Sequence, residues 1–191
     1  MKPFLILTLC VLSTAIFQGC KKDSTDADTT TTTTETPILQ AYIGGTVWTP
    51  DTLTTTLVHN AATSSKVLTC TGTKSQKRIV FSIKQSSAVN DSSFPVATYN
   101  VDGSSNVNMS YYTQQLTTAG LYDFVLYGTA QAGSGTITIT SVDTANKTIT
   151  GTYSFISSKL NYDAEGNYES ITLAAITTGV FNAMPYTFAS N

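Results

Sequence analysis

Thr136-Ile137-Thr138-Ile139-Thr140, followed after Asp143-Thr144-Ala145-Asn146-Lys147 by Thr148-Ile149-Thr150-Gly151-Thr152-Tyr153-Ser154-Phe155-Ile156, decides the fold of this chain. In the first segment the isoleucines face one way and the threonines the other, the period-two signature of a half-buried strand. The intervening Asp, Asn and Lys are turn chemistry. The second segment resumes the alternation, with Ile149, Gly151, Tyr153 and Phe155 on its inward side. Together they read as a β-hairpin.

Working outward, Ile79-Phe81-Ile83, Val107-Met109-Tyr111 and Ile171-Leu173-Ala175 repeat the pattern. Leu121 to Tyr127 is apolar on both faces except at Asp123, which predicts a central or doubly covered strand. Turn signals fall at Gly44-Gly45, Gly72 to Lys77, Asp102-Gly103, Gly133 to Gly135 and Glu165-Gly166-Asn167. They divide the segment 38–191 into roughly ten strands. No window carries a helical period, and Val, Ile, Thr, Tyr and Phe dominate as β-formers do. The expectation is all-β: an antiparallel β-sandwich or a flattened β-barrel, with the choice between them open.

The amino-terminal part reads differently. Lys2 precedes an almost wholly apolar run from Phe4 to Phe17, which has the layout of a secretory signal. Its roughly 14 residues fall short of the ~20 that span a bilayer. Phe17-Gln18-Gly19-Cys20 closes the run, and a small residue directly before a cysteine resembles a bacterial lipoprotein processing site. The sequence thus divides into a signal peptide over 1–19, a lipidated Cys20 with a threonine-rich linker over 20–37, and a β domain over 38–191. Six consecutive threonines, Thr29 to Thr34, and no apolar residue larger than Ala27 make the linker a spacer. Each buried acyl methylene contributes about 0.8 kcal/mol, so two or more chains on Cys20 would hold the protein on a membrane.

The order of Gly44-Gly45-Thr46-Val47-Trp48, Gly135 to Asp143, Ile149 to Phe155 and Thr178-Gly179-Val180-Phe181 resembles a family of uncharacterised Bacteroidota lipoproteins. That resemblance implies a lipid-anchored β domain on a short linker, and it carries no active site to transfer. Lys21 stands where an inner-membrane retention signal has Asp, so the implied address is the outer membrane, on its periplasmic or cell-surface face.

The chemistry-bearing residues are sparse. The segment 38–191 holds seven Lys/Arg and eight Asp/Glu, without a basic block, so nucleic acid is not an implied partner. His59 is the only histidine and reads as a surface or strand-end residue, which leaves a nucleophile–base triad without support. Cys70 alternates with Leu68 and reads as a buried thiol. Asn161, Asp163, Glu165 and Gly166 share spacing with a calcium loop, but position 12 is Thr172, and a hairpin turn explains them better. Nothing calls for a cofactor or a metal.

Asp51, Asp91, Asp102, Asp123 and Asp143 are the carboxylates available for an acid–base pair. Asp123 lies inside an apolar strand, either outward at an edge or lining a pocket. Tyr is abundant, and it joins a flat apolar face to a polar tip suited to glycans or protein surfaces. Consecutive Tyr111 and Tyr112 must point to opposite faces of a strand. Tyr111, Tyr112 and Asp123 are therefore the candidate ligand-binding residues. The expected function is a non-enzymatic envelope binding module with a glycan or protein ligand; the alternative is a hydrolytic, carbohydrate-active accessory using a carboxylate pair.

Overall fold

The computed structural model describes residues 36–191. Its strands are β1 (Leu39–Ile43), β2 (Thr46–Trp48), β3 (Thr52–Asn60), β4 (Ser65–Lys74), β5 (Lys77–Ser86), β6 (Thr98–Asn100), β7 (Val107–Leu116), β8 (Tyr122–Asp143), β9 (Thr148–Tyr162), β10 (Tyr168–Pro185) and β11 (Thr187–Ser190). All belong to one sheet, in the order β11-β3-β4-β5-β7-β8-β9-β10-β1-β2, with β6 on β8. The hairpin read from the threonine–isoleucine alternation is β8–β9, closed at Asp143↔Thr148. Asp143 caps its own turn by accepting from the Ala145 and Asn146 N–H groups, each at 2.9 Å.

From β3 to β10 the path takes six antiparallel steps: β3/β4, β4/β5, β5/β7, β7/β8, β8/β9 and β9/β10. Six reversals leave β10 running in the same direction as β3. β11 follows β10 after the single residue Tyr186, so its pairing with β3 is parallel, from Thr187↔Thr56 to Ser190↔His59. The architecture is thus one curled, mixed sheet, a half-barrel whose flanks β11 joins at one end. That closing pair corrects the expectation of wholly antiparallel pairing.

The inside of the curl holds the alternating apolar residues. Phe81, Tyr153 and Phe181 form its aromatic centre, with ring centroids 5.3, 5.9 and 6.4 Å apart. Gly151 lies beside them because nothing larger fits: a Cβ there would meet the Thr138 carbonyl oxygen at 2.1 Å and the Phe181 ring at 2.4 Å. The turn expected within Gly72 to Lys77 is the β4–β5 turn at Ser75-Gln76, closed at Lys74↔Lys77, whereas the one expected at Gly133 to Gly135 is absent. Gly72 itself is inside β4, where a Cβ would meet the Leu39 and Trp48 side chains at 2.9 Å. Gly133 to Gly135 form a bulge within β8, which takes five steps from Ala130 to Gly135 while β9 takes two from Ser157 to Phe155. Gly133 takes the positive φ that this excursion needs.

One mouth of the half-barrel is polar and plugged. Lys66 lies in line with inward Leu68 and Cys70, and it is buried. Its ammonium donates to Asp91 Oδ1, to the Ser93 carbonyl at 2.9 Å and to Ser93 Oγ at 3.3 Å. This arrangement pins the 87–97 loop across the opening. Tyr186 and Tyr99 hold the same loop by donating to the Ser92 carbonyl at 2.6 Å and the Pro95 carbonyl at 2.8 Å. His59 is a strand-end residue, as its position suggests, but it is buried, with Nε2 3.3 Å from the Ser87 carbonyl oxygen.

Candidate binding surface on two hairpin arms

Halfway along β9 and β10 the side-chain alternation inverts. In the core half, Tyr153, Phe155, Ile176 and Phe181 point inward, while Thr152 and Ser154 point out. Beyond the Phe155↔Ile176 pair, the inward side continues as Ser157, Lys159 and Asn161 on β9, and as Thr172 and Ser170 on β10. Asn161 Nδ2 donates across this side to Thr172 Oγ1 at 2.7 Å and Ser170 Oγ at 3.2 Å. The apolar residues now face out: Ile156 opposite Ala175, Leu160 opposite Ile171, and Leu173 opposite Ser158.

The inversion is written as two adjacent apolar pairs, Phe155-Ile156 and Ala175-Ile176, which the register places directly opposite each other. Each pair shifts the period-two pattern by one residue, as a register slip would, but with the backbone ladder intact. This is the signal that would have exposed Ile171, Leu173 and Ala175 as outward residues. A strand-by-strand reading places that alternation inward.

β7 and β8 make a second arm. Tyr112↔Leu126, Gln114↔Phe124 and Leu116↔Tyr122 share its outward face. The Arg78 guanidinium lies 3.9 Å from the Phe124 ring centroid and covers that ring. Leu121 to Tyr127 is therefore not a doubly covered central strand. Leu121, Tyr122, Val125 and Leu126 are exposed, because past Thr129↔Ser158 no pairing joins β8 to β9. Gly128 closes the base, where a Cβ would meet Ser157 Oγ at 2.6 Å and the Ser158 carbonyl at 2.7 Å. The Tyr127 hydroxyl spans it by donating to the Leu173 carbonyl at 3.4 Å.

The structure separates the three candidate ligand residues. Tyr111 points inward and is buried, its ring 5.2 Å from that of Tyr127, and burial raises its phenol pKa above the ordinary value. Tyr112 lies on the opposite, outward face beside Leu126. Asp123 is exposed near the tip of its arm, opposite Gln115, where its Oδ1 accepts from the Phe124 N–H at 2.7 Å. Tyr112 alone joins the outward apolar face.

The other carboxylates are held by separate partners. Asp51 pairs with Lys74 at 3.5 Å, Asp91 with Lys66, and Asp102 accepts from the Ser104 N–H at 2.9 Å. Asp163 accepts from the Asn167 N–H at 2.7 Å and from its side-chain amide at 3.1 Å, which builds the turn between β9 and β10. These bonds hold the Asp102, Asp143 and Asp163 carboxyls below their ordinary range. Among the described residues, no three His, Cys, Asp or Glu side chains gather as a metal site. Burial pushes the Cys70 thiol up to about 12. Cys20 lies outside the described residues.

Residues 35–185 match the family described as a domain of unknown function, DUF6252. The chain belongs to that family. No curated protein and no solved structure matches it. The DUF6252 match takes in both arms and the plugged mouth, and it stops at the last residue of β10, so β11 lies beyond it.

Proposed function

We propose that this DUF6252 protein is a non-enzymatic binding module of the bacterial cell envelope whose working surface is the outward apolar face of the two arms. The observation that carries the reading is the alternation reversal. Leu160, Leu173 and Tyr168 expose 51%, 55% and 60% of their surface, although the same strands bury their apolar side a few residues away. A contiguous apolar face of this kind is uncommon on a monomer unless it meets a partner. Tyr122, Tyr162 and Tyr168 stand at the ends of the arms and add flat rings with polar tips.

In this reading Cys20 carries acyl chains that hold the module on the outer membrane. The chain enters the described domain at Pro37, whose carbonyl accepts from Asn182 Nδ2 at 3.0 Å. From Asn182 to Tyr168, β10 rises on the order of 45 Å. A tether at Pro37 thus leaves from the end remote from the arms, which are free to meet a protein or glycan. The acids Asp163, Glu165 and Glu169 near one tip oppose its insertion into an anionic lipid surface.

A photo-crosslinking residue placed at Leu173 in the full chain, in cells, tests the surface. The reading predicts adducts from Leu173 and none from Thr140, an exposed residue of β8. Adducts from neither site, or equal adducts from both, contradict it. Labelled fatty acid should enter the wild type and not Cys20→Ala; an unlabelled wild type contradicts the anchor.

A further inference from the structure

We propose that the cleft between β2 and the β4–β5 turn binds a small amphiphile with an anionic head. The inference goes beyond the arm surface and uses none of its residues. The cleft has a volume of about 330 Å³ and is lined by Val47, Trp48, Lys74, Ser75, Gln76 and Lys77. Small-molecule sites span roughly 300–1,000 Å³, so the space suits a short-chain ligand.

The topology leaves this space open. β2 ends the sheet's path and pairs with β1 alone. It leads through Thr49 and Pro50 to Asp51, whose N–H donates to the Thr73 carbonyl at 3.0 Å. β2 is thereby brought beside the end of β4 without joining it. The indole of Trp48 reaches in over Gly72, where a Cβ would meet its Cη2 atom at 2.9 Å. Trp48 is buried, yet its indole N–H has no acceptor among the described residues, a rare state for a buried donor. Val47, the other apolar residue of the lining, is half exposed.

The charge of the cleft selects the occupant. Lys74 and Lys77 are direct cross-strand partners, so both side chains leave the same face of the hairpin. Like charges in that position repel and destabilise the pair. Asp51 answers only one of them: its carboxylate lies 3.5 Å from the Lys74 ammonium, with the two side chains 66% and 43% exposed. A pair so exposed contributes little. The ion pairs among the described residues give Lys77 no carboxylate, and no carboxylate lines the cleft. An anionic head between the two ammonium groups relieves their repulsion, while an apolar chain covers Val47 and the Trp48 ring. A neutral apolar molecule leaves the lysines opposed, and a small inorganic anion leaves Val47 wet. Only an amphiphile answers both.

Trp48 is the only tryptophan, so its fluorescence and its single indole N–H resonance report on this cleft directly. The probe is octanoate, titrated into the full chain. It should shift both signals with a dissociation constant below about 1 mM, and octanol and acetate should each bind at least about tenfold more weakly. Lys77→Glu should weaken octanoate by at least about tenfold while keeping the wild-type melting temperature, and Lys77→Arg should retain binding. No shift of either signal with octanoate up to about 3 mM overturns the proposal. Octanol that binds as tightly as octanoate overturns it as well, because the head is then not read. Binding that Lys77→Glu leaves unchanged does the same.

Discussion

At the residue scale, the described domain puts its polar chemistry to structural use. Cys70 is buried beside Met184, with the two sulfur atoms 3.6 Å apart, and its thiol pKa is pushed to about 12. A thiol reagent at pH 8 should therefore leave Cys70 unmodified until denaturant unfolds the domain; prompt labelling of the native protein would contradict its burial. Lys66 and Asp91 form a lopsided pair, the lysine 2% and the aspartate 49% exposed. The Lys66 hydrogen bond, and then those from Ser93, hold the Asp91 carboxyl at about 2, below its ordinary 3.8. A depressed acid stabilises the fold above its unfolded-state value and loses that contribution as pH falls through its folded value. Urea melts between pH 5 and pH 2 should thus show a shallower acid dependence for Asp91→Asn than for the wild type. Equal slopes would remove Asp91 from the account of the plugged mouth.

At the element scale, Gly151→Ala forces a methyl group against the Thr138 carbonyl and the Phe181 ring, and it should destabilise by about 2–3 kcal/mol in equilibrium unfolding. A change below about 0.5 kcal/mol would mean that β8 and β9 approach less closely than described. The core half of this hairpin was legible in sequence because Ile137, Ile139, Ile149, Tyr153 and Phe155 keep one phase and all face one interior. The arms were not, for a physical reason. Period two gives the faces of a strand but not which face is wet. Ile171-Leu173-Ala175 alternates as cleanly as Ile79-Phe81-Ile83, yet it lies past the phase reversal at Ala175-Ile176. Leu121 to Tyr127 has apolar residues on both sides, which fits a covered strand and an uncovered ribbon equally well. The bulge at Gly133 to Gly135 read as a turn because glycine permits the same positive φ in both. Of the candidate ligand residues, only the opposition of Tyr111 and Tyr112 followed from the backbone, and it is what the structure shows.

At the scale of the whole molecule, strand parity decides how the half-barrel closes. An odd number of strands from β3 to β10 leaves its flanks parallel, and β11 takes up that pairing together with the partly buried Phe188. Removing residues 187–191 should lower the melting temperature by about 5–10 °C and speed hydrogen exchange along β3 before β7. Unchanged β3 protection would place the closure elsewhere. The central claim is that the arms carry their apolar side outward as a working surface rather than as a misplaced core. The most direct measurement is the thermal melt of the triple variant Leu160→Thr, Ile171→Thr, Leu173→Thr, set beside its crosslinking. The account predicts a melting temperature within about 3 °C of the wild type, with adducts lost. A fall of more than about 10 °C, the mark of three lost core side chains, would contradict it.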